Sequence, residues 1–165
     1  MADHVDLVLE QWAAQRPDLD ASPMAVIGRL SRASRLVSAE LRRTFAAHDL
    51  DPASFDVLAT LRRAGPHDGL TPTALCRASM VTSGAITQRL DRLEARGLVT
   101  RTPSESDGRG VVVALSDAGR ALIDDVLPHH LETEQRVLAA LSGEERDALA
   151  GTLRKLLESL GDTLD

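Results

Sequence analysis

Apolar residues recur at helical spacing along most of this 165-residue chain. Val5, Val8, Leu9 and Trp12 follow the i, i+3, i+4, i+7 pattern of a short amphipathic helix, interrupted by the turn Arg16-Pro17-Asp18-Leu19-Asp20. Ser22-Pro23 reads as an N-cap followed by proline at the first helical position, opening a helix to about His48. Ile27, Leu30, Val37 and Leu41 mark its apolar face, and Arg29, Arg32, Arg35, Arg42 and Arg43 fall largely elsewhere. Asp51-Pro52 repeats the start signal for a helix over 52–63, closed by Gly65.

Thr71-Pro72 predicts a short helix over 72–78, and Ser79-Met80-Val81 turns the chain. Thr82 or Ser83 caps the next helix, which ends at Gly97. The β-prone runs Leu98 to Arg101 and Val111 to Leu115 flank a polar loop and read as a hairpin with a long tip. Ser116 caps a long helix that Pro128 is expected to kink. Ser142 with Glu145 makes a capping box for a last helix expected to bury Leu149, Leu153, Leu156, Leu157 and Leu160. The expected fold is mainly α: five helices, a small β-hairpin, two more helices.

Composition narrows the class. Apolar residues are 43% of the chain and aromatics 2%, so a core must come from Leu, Val, Ile and Ala. A single cysteine, Cys76, excludes an intrachain disulfide and suits a reducing cytosol. No leader pattern and no apolar stretch near the ~20 residues of a bilayer span is present, so a cytoplasmic protein without a membrane partner is expected. The net charge of −6 argues against a nucleic-acid partner until its distribution is followed. Residues 29–116 carry 13 basic and 9 acidic side chains, whereas both flanks are net acidic. Basic charge gathered in one region is what phosphate contact needs. Arginine outnumbers lysine 18 to 1, which either a GC-rich genome or bidentate contacts would produce.

Residues 72–96 fit a helix-turn-helix: a short support helix, a turn, then a helix with one apolar and one solvent-facing side. Ile86, Leu90 and Leu93 would seat that second helix. Its outer face offers Ser83, Gly84, Ala85, Thr87, Gln88 and Arg92 to DNA. Small residues permit close approach to the groove, Gln can pair with adenine, and the methyls of Thr and Ala suit thymine. At the hairpin tip Arg109 stands between Gly108 and Gly110, fit for a narrow minor groove, with Asp107 placed to support its guanidinium. Two packed helices of an all-α domain are the bland alternative, and the hairpin directly after them weighs against it.

The run Ser83-Gly84-Ala85-Ile86-Thr87-Gln88-Arg89-Leu90-Asp91-Arg92-Leu93-Glu94-Ala95-Arg96-Gly97-Leu98-Val99-Thr100-Arg101 resembles the MarR family of bacterial regulators. So do Leu70 to Leu75, Asp107 to Gly110 and Leu115 to Arg120. The resemblance implies a winged helix-turn-helix domain over 51–115, an extension helix over 1–20, and a helical dimerisation region from 22–48 and 116–163. It implies a homodimer reading a pseudo-palindromic duplex with half-sites about one turn, ~34 Å, apart. The leucine-rich, acidic chain ends suit pairing away from DNA.

A narrower resemblance is to the urate-responsive branch, the PecS and HucR type. It implies an effector set of Trp12, Asp56, Arg89 and Arg101. Trp12 offers a flat face and Arg101 a planar fork for a small anion such as urate. Asp56 and Arg89 are expected to pair until the anion competes for Arg89. Taken singly, each has a bland reading: a core tryptophan, phosphate-contacting arginines, a dipole-compensating aspartate.

Cys76 is expected to be a packed core thiol, and His129-His130 to be surface residues, since adjacent histidines cannot face one metal on a regular helix. No metal site, cofactor motif or catalytic constellation is found, so an enzyme is not expected. The alternatives are a regulator of the same type answering another ligand, such as an aromatic acid, and a winged-helix module used for protein assembly.

Overall fold

The computed structural model describes residues 2–65, 69–80, 86–103 and 110–163. The elements are α1 (His4–Gln15), α2 (Pro23–Ala46), α3 (Pro52–Arg63), α4 (Pro72–Ala78), α5 (Ile86–Ala95), β1 (Val99–Pro103), β2 (Val111–Leu115), α6 (Asp117–Val137) and α7 (Gly143–Ser159). The predicted element order is therefore the observed one.

Local chemistry sets most boundaries. Asp51 accepts from the N–H groups of Ala53 and Ser54, Thr71 from Ala74, and Ser116 from Gly119. Ser142 and Glu145 close the expected capping box, and Asp3 with Asp6 forms a second one before α1. Ser22 departs from expectation: its hydroxyl makes no cap bond, and its own N–H donates to Asp20 at 2.9 Å. Proline at the first helical position, whose missing N–H needs no partner, still starts the helix there. Pro128 sits inside α6 without ending it.

The two strands pair antiparallel, with Val99 opposite Leu115 and Pro103 opposite Val111. Leu70 adds a one-residue bridge, exchanging 2.8 and 2.9 Å backbone bonds with Val113. Gly69 makes that approach possible. Its φ is +47°, and a Cβ there would lie 2.6 Å from the Val113 carbonyl oxygen.

One core holds this unit together. Val57, Leu58, Leu75, Leu90, Leu93, Val99, Val113, Ile123 and Val126 are fully or almost fully buried. They come from α3, α4, α5, the hairpin and α6, so the helix-turn-helix and hairpin share one foundation. Phe45 and Phe55 stack at 4.3 Å between centroids and extend the core toward α2.

The two ends of the chain do not join that core. Val5 is the only buried residue of α1. In α7 nothing is buried, contrary to the expectation for its leucines; Leu149 and Leu157 are exposed and Leu160 is 74% exposed. On α2, Ile27 and Leu30 of the expected apolar face are also exposed. The periodicity correctly marks apolar faces, but among the described residues nothing covers them. Among the described residues no helix is long and apolar enough to cross a membrane.

Candidate nucleic-acid interface

The reading unit is built outward from the core. Arg63 at the end of α3 donates to the Ala78 carbonyl at 2.5 Å and fixes the end of α4. The N–H of Met80, in the following turn, donates to Asp56 Oδ2 at 2.7 Å. Asp56 thus holds the helix-turn-helix turn against α3. Leu90 and Leu93 are buried at 1% exposure each and seat α5, with Ile86 packed beside them.

That seating turns Thr87, Gln88, Asp91, Arg92 and Ala95 to solvent. Three of the expected DNA-facing residues, Thr87, Gln88 and Arg92, therefore stand on an exposed helical face. Ser83, Gly84 and Ala85, and the wing residues Asp107 and Arg109, lie outside the described residues.

Three arginines secure α5. Arg89 donates to Asp51, the cap of α3, and to Ser54 Oγ at 3.2 Å. The expected Asp56–Arg89 pair is thus corrected: Arg89 leans inward toward the start of α3, only 18% exposed, where Asp51 is the carboxylate within reach. Arg96 donates to the Asp49 carbonyl at 2.8 Å. Arg101 on β1 reaches back to α5, meeting Asp91 at 2.6 Å and Glu94 at 3.4 Å.

Burial pushes the Asp51 carboxyl up, but the Ser54 N–H and the Arg89 guanidinium outweigh it, leaving it below the ordinary carboxylate value. A depressed folded-state value means that Asp51 stabilises the fold above the ordinary carboxylate range, and that this contribution is lost as pH falls through the folded-state value. Replacing Asp51 with Ala should cost about 1 kcal/mol for the cap and at most about another 1 kcal/mol for the solvent-screened pair. Urea melts at pH 7 and at pH 3 check this: the gap between the two proteins should narrow in acid.

The four residues of the expected effector set are not gathered in one chain. Trp12 is 42% exposed and lines a groove of about 230 Å³ with Arg16, Leu19, Asp20, Ala21 and Met24. Asp56, Arg89 and Arg101 hold the reading unit as described. The missed partnership is Arg101 with Asp91 and Glu94, for which the sequence carries no local signal.

Two minor expectations also change. Cys76 is half-buried, not a core thiol. His129 is exposed beside Glu132, as expected, but His130 packs against Phe45 and Phe55 and meets Glu134 at 3.2 Å, because α6 turns it into the α2–α3 junction. Among the described residues no group of three His, Cys, Asp or Glu could hold a metal ion.

A support helix, a turn, an outward polar helix on a shared core and a two-stranded hairpin define a winged helix-turn-helix, DNA-binding protein. Residues 48–110 match the model of the MarR family. Over 153 residues, 93% of this chain and 92% of the relative, the chain is 41% identical to the HTH-type transcriptional regulator PecS of Dickeya dadantii. It is similar in structure to a mutant of Escherichia coli MarR complexed with operator DNA, with TM-score 0.72 and 29% identity over 82% of this chain and 94% of the other. Bordetella bronchiseptica BpsR, whose DNA binding is regulated by 6-hydroxynicotinic acid, gives TM-score 0.72 and 28% identity over 79% of this chain and 91% of the other. The chain belongs to the MarR family. It is a DNA-binding transcriptional regulator and not an enzyme.

Proposed function

We propose that this protein is a cytoplasmic homodimeric repressor that reads a pseudo-palindromic duplex and is released from it by a small flat anion of the urate or aromatic-acid kind. The observation that carries the reading role is the exposed face of Thr87, Gln88 and Arg92 on a helix seated by Leu90 and Leu93. Ser83, Gly84 and Ala85 would continue that face toward the groove. Arg109, steadied by Asp107, would enter the minor groove beside it.

Release follows from the arginines that secure α5. Arg89 and Arg101 are both held by carboxylates. An anion that took the place of Asp51 or Asp91 would loosen one side of the reading helix. To act as a switch it must bind the loosened form more tightly, by a coupling of typically ~1–3 kcal/mol. Trp12 would reach such a site only in the assembled dimer, contributing its face, and Asp56 would report the change through the turn it holds. Regulation of the structural relative BpsR by 6-hydroxynicotinic acid supports a flat ring effector of this kind, with urate as the proposed member.

Gel shifts with the promoter region of its own gene test both halves. Gln88→Ala should weaken specific binding by roughly 10-fold, in keeping with a bidentate base contact worth ~1–3 kcal/mol. Random-sequence duplex should be bound as before. Arg109→Ala should weaken both duplexes, and affinity should fall steeply with salt. If neither substitution changes binding, the reading face is misassigned. Wild-type binding unaffected by saturating urate would remove urate, and the same result with xanthine and aromatic acids would remove the effector class. Salt-insensitive binding, or none, would favour a protein-assembly module.

A further inference from the structure

Two of the groups exposed on the reading helix carry the wrong sign for DNA. Asp91 lies one turn beyond Gln88, and Glu94 one turn beyond Asp91. Their side chains remain 56% and 42% accessible. Charges about 10 Å from a phosphate backbone act within roughly one Debye length at 0.1 M salt, so two carboxylates there would oppose binding.

Arg101 faces both. One guanidinium nitrogen meets Asp91 Oδ1 at 2.6 Å and the other meets Glu94 Oε2 at 3.4 Å. The first nitrogen also points at the Thr87 carbonyl, at 3.5 Å. Thr87, Asp91 and Glu94 form one row along α5, and a single side chain from the wing strand spans it. Arg101 itself is mostly covered by these partners, at 27% accessibility, so its charge is spent on the helix before any phosphate arrives.

We propose that Arg101 is a positioning residue for DNA recognition: from the first wing strand it masks the carboxylates of Asp91 and Glu94, so that the reading helix meets the duplex as a charge-compensated surface. This rests on α5 being the reading helix. The row also makes Arg101 costly to divert. Any anion that draws Arg101 away unmasks two negative charges facing the DNA, which converts ligand capture directly into repulsion.

The test is fluorescence anisotropy on a labelled duplex from the promoter of the protein's own gene, beside a random-sequence duplex of equal length, at low and high salt. R101A should lose ~10-fold or more in affinity for both duplexes at low salt, with the loss shrinking as salt rises. R101A/D91N/E94Q should recover to within about threefold of wild type, because the charges that needed masking are gone. D91N/E94Q alone should bind at least as tightly as wild type, since it frees a guanidinium beside the duplex; a purely structural clamp would instead weaken there. R101Q serves as a second variant should R101A not fold, and circular dichroism melts establish that each protein is folded. The proposal is overturned if the triple variant stays as weak as R101A, which would make Arg101 a direct phosphate contact, or if R101A and R101Q both bind like wild type. Wild-type protein that binds neither duplex would instead defeat the assignment of α5.

Discussion

Substituting Gly119 with alanine should lower stability by about 3 kcal/mol, in the range of overpacking against atoms that cannot move aside, and melting should shift down by roughly 6–12 °C for a protein of this size. Gly119 lies in the first turn of α6, where that helix presses on the end of the reading unit. A Cβ there would overlap the Leu98 carbonyl oxygen and lie 2.9 Å from its carbon. Both atoms are backbone, and the carbonyl is already engaged, accepting from the Ser116 N–H at 3.1 Å. Ser116 adds a 2.6 Å bond to the Gly97 carbonyl. The start of α6 is thus bolted to Gly97 and Leu98, the turn between α5 and β1, and there is no direction in which the overlap relaxes cheaply. Gly143→Ala is the control, since a Cβ at Gly143 meets nothing within 4 Å; its melting temperature should not fall. A G119A protein that melts like wild type would refute the close approach.

The second large effect concerns the uncovered leucines. Leu149, Leu153, Leu156, Leu157 and Leu160 form one stripe of α7, and α2 presents Val26, Ile27, Leu30 and Leu36 to solvent as well. A second copy of the chain is the partner proposed for these faces. Because a two-fold interface uses the same patch twice, Leu157→Asp introduces two charges into one apolar seam. Each lost leucine is worth ~1.5–3 kcal/mol of burial before the carboxylate is desolvated, so the variant should run as a monomer at micromolar concentration in light scattering. Separated reading heads lose the advantage of linkage, and operator affinity should drop by ~10²–10⁴-fold. A variant that remains dimeric would place the interface elsewhere.

The extent to which the sequence foretold this structure follows the range of the interactions involved. Asp51, Thr71, Ser116 and the Ser142–Glu145 box act within four residues, and each was readable from its neighbours. Proline alone was enough at Pro23, so the serine before it misled about the cap while the helix start held. The apolar face of α7 was visible in its spacing, but spacing reports a face and not its cover. The sequence reading paired Arg89 with Asp56, and only the orientation of α5 on α3 directs it to Asp51, at the start of the same helix, instead. The contact between Arg101 and the Asp91 row depends on how the strand folds back across the helix, which no local pattern encodes. His130 entered the aromatic cluster for a similar reason: its depth is set by the packing of α6 against α2 and α3.

The turn between α2 and α3 carries a mechanical consequence. Arg89 on α5 and Arg96 just past its end, two turns apart on the same side, both end on the short segment from Asp49 to Asp51. That segment is also where the 24-residue α2 hands the chain to the reading domain. The reading helix is thereby surveyed from the far end of a rod about 36 Å long. A tilt of roughly 3° at the other end of such a rod displaces this one by ~2 Å, more than half the reach of a hydrogen bond. In the dimer proposed above, small adjustments where two copies meet would, by this leverage, become changes of aim at the groove.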